Sequence, residues 1–289
     1  MLFPNKMQKF KEFSIEETIK DIKSSPQYCW DDDYILWTAI TTPTRGKRAV
    51  QLLLDHFNKK AKLLDVGYSQ GLTIGYTGQV FPNLEGIDVD ADAKKTAQKR
   101  LKKLGLKTAL KIYDGKTLPF KDNSFDGIIS NEVFEHVDNR QTFVKELHRV
   151  LKPHGKLIIT TPNKLFPIEC EFHLPFLSYL PKKLADLYVR MSGKGKSYDG
   201  VNHPFHFEFI GELERYFSVN DITLDVLTKY KKYYLGDERG AIIPLVASVI
   251  NILKKLNKTP LEPISKVIGY LLLNVSAGWI CICTKPKNF

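Results

Sequence analysis

The sequence predicts an α/β fold: a seven-stranded, mostly parallel sheet flanked by helices, with the last strand antiparallel and with helical insertions. Short apolar runs alternate with helical patterns from Lys62 to Thr161, which is the order that βαβ units produce. A chain of 289 residues is long enough for one large core with insertions. We expect four regions, which are a helical lid over 1–60, a core over 61–163, an insertion over 164–208 and the C-terminal part of the core over 209–289 with a helical insertion at 241–273.

Each predicted strand is a short apolar run that ends at a turn signal, and each predicted helix carries apolar residues at helical spacing. The expected strands are 62–66, 84–88, 108–113, 125–130, 156–161, 220–227 and 279–283. The expected helices are 15–22, 45–58, 91–104, 132–151 and 210–217, followed by two within 241–273 that a proline-containing segment at 260–263 separates. Gly105 stops the helix before it, and Pro162 closes the fifth strand.

The charge balance limits the kinds of partner. The formal net charge is +11, and almost all of the excess comes from lysine. Such a charge is typical of a protein that binds nucleic acid, of one that binds an anionic membrane surface, or simply of a lysine-rich proteome. Arginines do not cluster into a stripe, so the composition favours the last of these.

Cysteine usage and apolar stretches bear on the compartment. Cys29, Cys170, Cys281 and Cys283 lack the paired spacing of a zinc site, so we expect reduced thiols in the cytoplasm.

The first ten residues lack the apolar run of a signal peptide. The stretch 267–284 approaches the length of a membrane span, but glycine, asparagine and serine interrupt it, which favours a short helix leading into a buried strand.

A glycine-containing loop follows the first predicted strand. Asp65-Val66-Gly67-Tyr68-Ser69-Gln70-Gly71 stands where a strand changes to a helix, and ligands bind at such carboxyl ends of strands. Gly67 and Gly71 allow a ligand to approach the backbone because they carry no side chain. Asp65 suits a role in orienting the loop, or in accepting a hydrogen bond from a ligand's ammonium group directly or through water.

Asp88 ends the second predicted strand, and a carboxylate at this place accepts hydrogen bonds from the hydroxyls of a ribose in Rossmann-like folds. Dinucleotide-binding proteins share this feature, but their pyrophosphate loop requires G-x-G-x-x-G. Ser69 and Leu72 stand at the second and third glycine positions, which disfavours NAD.

Taken together, these motifs resemble the class I S-adenosylmethionine-dependent methyltransferases, in the type 11 group that contains the ubiquinone-biosynthesis O-methyltransferases. LLDVGYSQG and EGIDVD resemble the first two motifs of that group. YDGKTLPFKDNSFDGIISNEVFEHV and LHRVLKPHGKLIITTPN resemble the signatures that follow. The resemblance covers roughly 45–163 and implies a Rossmann-like core that binds S-adenosyl-L-methionine.

The resemblance assigns cofactor contacts by position. It implies that the loop at Gly67 holds the methionine part, that Asp88 holds the ribose, and that Asn131 faces the cofactor after the fourth strand. Arg45 matches an arginine that contacts the cofactor, or is an exposed residue at a helix start. Tyr68 replaces a small residue and is expected to lie over the cofactor. The complete expected set is Arg45, Asp65, Gly67, Tyr68, Ser69, Gly71, Asp88, Val89, Asn131, and Asp114 with Gly115 at the adenine.

Glu132, Glu135 and His136 are spaced to share one face of the helix predicted after the fourth strand. E-x-x-E-H is similar to the metal site of ubiquinone-pathway O-methyltransferases and of small-RNA 2′-O-methyltransferases, so the three are candidate ligands of Mg2+ or another divalent cation. There are two alternatives. His136 acts as a general base without a metal, or the glutamate and the histidine have a purely structural role. His203 or His206 is a candidate fourth ligand, and the candidate catalytic set is His136, Glu135 and His206.

Aromatic segments are expected to surround the acceptor. They are Tyr28, Trp30 and the acidic run 31–33 before the core, Phe172, Phe176, Tyr179 and Tyr188 in the insertion, and the apolar helices within 241–273. Such walls suit a lipid-like or aromatic acceptor, or docking at a membrane face. Apolar helical stripes more often face a packed core.

The leading hypothesis is O-methylation of a small molecule, glycan or lipid-like acceptor by a cytoplasmic enzyme with peripheral membrane contact. N- and C-methylation stay open because the cofactor motifs do not encode the acceptor. One alternative is a metal-dependent RNA 2′-O-methyltransferase, which the positive charge favours and which predicts salt-dependent RNA binding. The other is a non-catalytic scaffold that binds S-adenosylmethionine, supported by the departures at Tyr68 and Ser69.

Overall fold

In the computed structural model of the chain, residues 9–24, 32–235, 242–257 and 259–287 are described. One sheet contains the strands β1 (Leu63–Val66), β2 (Leu84–Asp88), β3 (Ala109–Ile112), β4 (Phe125–Asn131), β5 (Leu151–Pro162), β6 (Ser218–Asp221) and β7 (Gly278–Thr284). Their order across the sheet is β3-β2-β1-β4-β5-β7-β6. The strands β1 to β5 pair in parallel, and β7 is antiparallel to both β5 and β6. The predicted fold class is confirmed, including the antiparallel last strand.

The helices flank this sheet. They are α1 (Ile15–Lys23), α2 (Asp32–Leu54), α3 (Leu72–Thr77), α4 (Ala91–Leu104), α5 (Arg140–Val150), α6 (Lys182–Met191), α7 (His206–Glu214), α8 (Thr223–Thr228), α9 (Ile242–Leu256) and α10 (Glu262–Asn274). The bounds of α4 are those predicted, because Asp90 caps its start and Gly105 ends it with φ of 75°.

The apolar core lies on both faces of the sheet. Leu63 packs in the cluster that α2, α3 and α4 form on one face, whereas Leu64 packs in the cluster that α5 and α7 form on the other. Successive side chains of a strand point to opposite faces, so a strand covered on both sides has no polar face. All four residues of β1 are accordingly buried.

The helix predicted over 132–151 is wrong in its first half. Glu132 has a left-handed backbone with φ of 55°, and a single 3-10 turn covers Phe134–His136. The helix α5 begins only after Asn139, whose side-chain oxygen accepts the N–H of Thr142 at 2.9 Å. Glu132, Glu135 and His136 therefore do not share a helix face.

The strand predicted over 220–227 is also wrong in its second half. Asp221 ends β6, and its Oδ1 accepts the N–H of Thr223 at 2.9 Å. This side-chain bond offers the backbone an alternative to the sheet, and the following residues form α8.

Residues 267–284 end α10 and form β7, as predicted for a helix that leads into a strand. Among the described helices, none combines the length and the apolar character needed to span a bilayer.

Candidate active site

The loop between β1 and α3 follows the carboxyl end of a central strand. Gly67 has φ of +83°, and a Cβ there would lie 2.2 Å from Cγ2 of Val133. Gly71 has φ of +80°, and a Cβ there would meet the backbone of Ala97 at 2.9 Å. Both positions therefore require glycine, which alone combines a left-handed backbone with no side chain. The result is a tight turn after β1, in which Val133 and Ala97 occupy the space that a side chain at Gly67 or Gly71 would need. The approach of a ligand to this backbone stays a prediction.

Asp88 holds this loop from the neighbouring strand. Its Oδ2 accepts the N–H of Ser69 at 2.6 Å, and its Oδ1 accepts the N–H of Asp90 at 3.0 Å. Burial raises the pKa of Asp88, while these N–H groups lower it. The side chain of Val89 is exposed, and a Cβ on Gly115 would lie 3.4 Å from its Cγ1. Val89 and Gly115 are therefore neighbours after the carboxyl ends of β2 and β3.

Asp65 is a buried carboxyl group at the same edge of the sheet. Within the described part of the chain, its Oδ2 has no hydrogen-bond partner, and neither has Oγ of Ser130 on the adjacent β4. Burial and the nearby charge of Asp88 raise the pKa of Asp65 to about 7. Unpartnered buried polar atoms are costly, and a ligand with an ammonium group would satisfy this carboxylate. The site therefore fits the amino-acid end of S-adenosylmethionine.

Tyr68 does not lie over this site, which corrects the expectation. Its side chain is 3% exposed and packs in the core, and its hydroxyl donates to the carbonyl oxygen of Lys111 at 3.2 Å. A Cβ on Gly86 would approach its ring within 2.8 Å, so the glycine of β2 makes room for it. Only the backbone of Tyr68 faces the loop, because an aromatic ring gains more from the apolar core than from the surface.

The side chains of two predicted cofactor residues accept hydrogen bonds from within the protein. Asp114 accepts the N–H groups of Lys116 and Thr117, each at 2.9 Å, and these bonds lower its pKa. Asn131 accepts the hydroxyl hydrogen of Thr160 at 2.9 Å. Asn131 is the last residue of β4 and Asp114 comes two positions after β3, so the backbones of both lie at the carboxyl edge of the sheet.

Arg45 connects α2 to the end of β4. Its guanidinium forms an ion pair with Glu132 and lies 5.7 Å from the centre of the Trp37 ring. His173 of the insertion packs edge-on against the same ring, with the ring centres 5.0 Å apart. An arginine, a tryptophan and an insertion histidine thus meet at the end of β4.

His136 has a defined orientation. Its Nδ1 lies 2.8 Å from the carbonyl oxygen of Gly200, and a carbonyl only accepts, so Nδ1 carries the hydrogen. Its Nε2 lies 3.2 Å from Oε1 of Glu171. Burial lowers the pKa of His136, and burial together with Glu169 raises the pKa of Glu171 to about 8. At neutral pH, a protonated Glu171 therefore donates to the lone pair on Nε2.

Glu135 is buried and turned away from His136. It is 2% exposed, and its Oε2 accepts the hydroxyl hydrogen of Thr161 at 3.1 Å. Burial raises its pKa to about 8, so the group is neutral at pH 7.

The three-residue metal set is not formed. Glu132 pairs with Arg45, Glu135 with Thr161, and His136 with the residues named above. Across the described ranges, the one group of three or more His, Cys, Asp or Glu whose ligand atoms lie within 4.8 Å of one another is a different one, at 169, 170 and 203. The prediction from the sequence pattern was wrong because the chain at Glu132 is not helical. Residues spaced i, i+3 and i+4 therefore do not lie on one face here. In this arrangement the three residues do not fit the predicted Mg2+.

His206 is not brought to His136. Its Nε2 lies 2.8 Å from Oδ2 of Asp221, and its ring packs 5.1 Å from that of Trp279. The imidazole links α7 to β6, which is a structural contact and leaves the proposed catalytic role without a geometric basis. His203 instead lies 2.7 Å from Oε1 of Glu169.

The sequence analysis missed residues of the insertion that meet the core. Glu171 and Gly200 contact His136, and His173 packs against Trp37, although all three lie in an irregular segment without periodicity. Phe172 and Tyr188 pack in a small cluster of the insertion, whereas Phe176 and Tyr179 are exposed. Cys29, Tyr28, Trp30 and Asp31 fall outside the described residues. The sequence did contain a signal for this region, because Glu, Cys and His residues are concentrated between 169 and 173.

Comparison with known proteins gives the family context. A family model described as a methyltransferase domain matches residues 64–159. Over 107 residues the chain is 36% identical to the mitochondrial ubiquinone biosynthesis O-methyltransferase of Rattus norvegicus, covering 36% of this chain and 31% of that protein. Over 190 residues it is 28% identical to the ubiquinone biosynthesis O-methyltransferase of Pelagibacter ubique, covering 60% of this chain and 76% of that one. The match therefore spans about a third of the rat protein.

The fold is similar to that of a geranyl diphosphate methyltransferase solved in complex with S-adenosylmethionine. The TM-score is 0.50 at 15% sequence identity, and the match covers 94% of each chain. At this identity the likeness concerns the fold.

Proposed function

Because the chain belongs to the class I S-adenosylmethionine-dependent methyltransferases, we propose that it transfers a methyl group to an oxygen of a small-molecule, glycan or lipid-like acceptor. The observation that carries the choice of oxygen is His136, whose Nδ1 is held by the carbonyl of Gly200 at 2.8 Å. Nε2 is then the atom able to accept a proton, and a hydroxyl acceptor has a proton to lose.

The donor site is built from the residues around Asp65, Gly67 and Asp88. When bound, S-adenosylmethionine supplies a methyl carbon that a sulfonium makes electrophilic. The Oδ2 atom of Asp65 accepts a hydrogen bond from the ammonium group, and Asp88 accepts the ribose hydroxyls while it holds Ser69. These residues fix the position of the methyl group, and positioning supplies a large part of the rate in such a displacement.

His136 acts on the acceptor. The acceptor hydroxyl takes the place of Glu171 at Nε2 and donates its proton there, while its oxygen forms the bond to the methyl carbon. S-adenosylmethionine held at Asp65 and Asp88 would supply that methyl group, and its sulfur would keep the bonding electron pair as a neutral thioether. Glu169 lies close enough to His136 to favour the imidazolium that results.

An exposed apolar surface supports a lipid-like acceptor. The helices α9 and α10 pack together at Ser265, whose hydroxyl donates to the carbonyl of Leu253 at 2.7 Å. Each helix still exposes a stripe of large apolar side chains, which are Ile242, Leu245, Val249 and Ile252 on α9 and Ile264, Val267 and Leu271 on α10, with Val275 directly after α10. An apolar surface of this kind on a protein of net charge +11 suits the interface of an anionic membrane.

The experiment is an acceptor scan with S-adenosylmethionine labelled in the methyl group. Hydroxylated lipid precursors, glycans, small phenols and RNA are offered separately to the full chain, and label is followed into each. The proposal expects label in a hydroxylated lipid-like or small-molecule acceptor. Label that enters RNA alone would establish the RNA alternative, and labelled amines or carbon atoms would overturn the choice of oxygen.

A second measurement separates an enzyme from a scaffold. Calorimetry with S-adenosylmethionine and its demethylated product tests the donor site without any acceptor. Binding together with no transfer to any class of acceptor would favour the non-catalytic scaffold. Absence of binding would overturn the donor site itself.

A further inference from the structure

Three side chains with different ligand atoms converge inside the insertion. Nε2 of His203 lies 2.7 Å from Oε1 of Glu169 and 3.8 Å from Sγ of Cys170. The same Sγ lies 3.9 Å from Oε1 of Glu169. Glu169 is 2% exposed and His203 is 4% exposed, and Cys170 is partly exposed, so two of the three side chains are buried.

The backbone around Glu169 holds this carboxylate in a fixed direction. Its Oε2 accepts the N–H groups of Glu171 at 3.0 Å and of Phe172 at 2.7 Å. The N–H of Glu169 donates to the carbonyl of Leu174 at 3.0 Å, which closes the short loop. One carboxylate oxygen is therefore occupied by the protein, and Oε1 is left to face Cys170 and His203.

The charge of Glu169 favours a cation. Its carboxylate is buried beside the thiol of Cys170. In the described part of the chain, no lysine or arginine forms an ion pair with this carboxylate, and its close contact is with His203. A buried carboxylate without a permanent positive charge beside it is costly, and a bound cation would offset that cost.

The geometry points to a site for a divalent transition-metal ion of the Zn2+ class, bound by Glu169, Cys170 and His203. A thiolate, an imidazole and a carboxylate together are the donor set that such ions prefer over Mg2+. In a tetrahedral zinc site, a sulfur and a nitrogen ligand lie about 3.5 Å apart, since both bonds are roughly 2.0–2.3 Å long. The two distances from Sγ are within a few tenths of an ångström of this value, and the contact between Glu169 and His203 has to open on binding.

The place of the cluster in the fold indicates what the metal does. Glu169 and Cys170 stand near the start of the insertion and His203 near its end, 34 positions after Glu169. Glu171, next to this pair, contacts Nε2 of His136. A metal at this point would therefore fasten both ends of the insertion next to His136, with no part in the bond changes of methyl transfer.

The test is metal binding by the full chain, without S-adenosylmethionine or acceptor. The protein is treated with chelator, freed of it, and titrated with Co2+ while the thiolate-to-cobalt absorption in the near ultraviolet is recorded. We expect one equivalent of Co2+, a thiolate band, and displacement of the band by Zn2+. A chain without a thiolate band, or with no retained metal at micromolar Co2+, would overturn the proposal whether or not methyl transfer occurs.

Variants identify the ligands. Cys170→Ala removes the thiolate and is expected to abolish the band, whereas Cys283→Ala removes a thiol buried in β7 and is expected to retain it. His203→Gln is expected to weaken Co2+ binding at least tenfold. If either ligand variant fails to fold, the cobalt absorption spectrum of the unaltered chain still decides whether the metal site exists. A band that survives in folded Cys170→Ala would overturn the assignment of the sulfur ligand.

Discussion

The carboxylate of Asp88 accepts a hydrogen bond from the backbone N–H of Ser69 at 2.6 Å, so the end of β2 fixes the loop that follows β1. The second carboxylate oxygen accepts the N–H of Asp90. One side chain thus shapes the turn at Gly67 and presents its charge to the predicted ribose position. The loop and the ribose contact are therefore coupled, and a change at Asp88 acts on both.

Asp88→Ala is expected to weaken binding of S-adenosylmethionine about 10- to 100-fold, since a hydrogen bond to a charged group contributes roughly 1.5–3 kcal/mol. Isothermal calorimetry measures the change. Asp126→Ala is the matched control, because Asp126 also accepts a backbone N–H, that of Lys62 at 2.8 Å, but before β1 instead of after it. Equal affinities for the two variants would contradict the assigned role of Asp88.

Affinity for S-adenosylmethionine is expected to rise with pH up to about 7, the pKa of Asp65. The ammonium group needs an ionised Asp65, so binding releases a proton below this pKa, and the dissociation constant falls by up to about tenfold per pH unit. Calorimetry from pH 5.5 to 7 measures the dissociation constant at each pH. In Asp65→Asn, we expect the dissociation constant to depend less on pH. A profile with the same slope in Asp65→Asn would assign the proton to another group.

The same pKa predicts the stability of the chain without ligand. The folded-state pKa of Asp65 is raised from 3.8, so its protonated form is the one that the fold favours. This contribution to the free energy of unfolding is complete below pH 4 and is lost as the pH rises through about 7. Urea unfolding of Asp65→Asn against the unaltered chain at pH 5 and pH 8 measures it. The difference between the two proteins is expected to grow in favour of the variant at the higher pH.

His136→Ala is expected to lower the turnover number by about 10²- to 10⁴-fold, as for loss of a general base, with the affinity for S-adenosylmethionine unchanged. The acceptor found in the scan provides the assay, and calorimetry provides the affinity. His56→Gln is the control, because His56 follows α2 and precedes β1, at the opposite edge of the sheet. A variant with full turnover would remove His136 from the reaction.

Gly67→Ala is expected to destabilise the fold by more than Gly105→Ala. Both glycines have a left-handed backbone, with φ of +83° and +75°, but a Cβ at Gly105 meets nothing within 4 Å. Gly105→Ala therefore costs about 1–2 kcal/mol from the backbone alone. Gly67→Ala adds the collision with Val133, about 1–3 kcal/mol more. Urea unfolding compares the two, and equal losses would show that the loop relaxes without cost.

Replacing Val267 and Leu271 of α10 with serine is expected to reduce binding to anionic vesicles at least tenfold. The reason is loss of exposed apolar surface, since burying such a side chain contributes about 1.5–3 kcal/mol. Vesicle sedimentation measures the binding. Serine at Ile15 and Leu36 removes two aliphatic side chains of similar exposure elsewhere and is the control. Vesicle binding that both double variants retain in full would leave the membrane proposal without support from this surface.

The sequence predicted well where a structural feature depends on neighbours along the chain. The strand 84–88 and the helix 91–104 have the predicted bounds, because apolar periodicity, an aspartate cap and a terminal glycine are all local signals. The segment 132–151 was misjudged because its spacing suits a helix, while the left-handed backbone at Glu132 ends the regular chain. The ion pair of Glu132 with Arg45, across 87 positions, has no local signature.

By itself, the sequence determined the alternation of strands and helices, the loop at Gly67 and the acidic residue that ends β2. Periodicity and chain order encode such features directly. Only the tertiary structure decided that Tyr68 turns into the core, that His136 meets Gly200 and Glu171, and that Glu169, Cys170 and His203 converge. These contacts join residues far apart in the chain, and packing of the insertion against the strand ends, not spacing, brings them together.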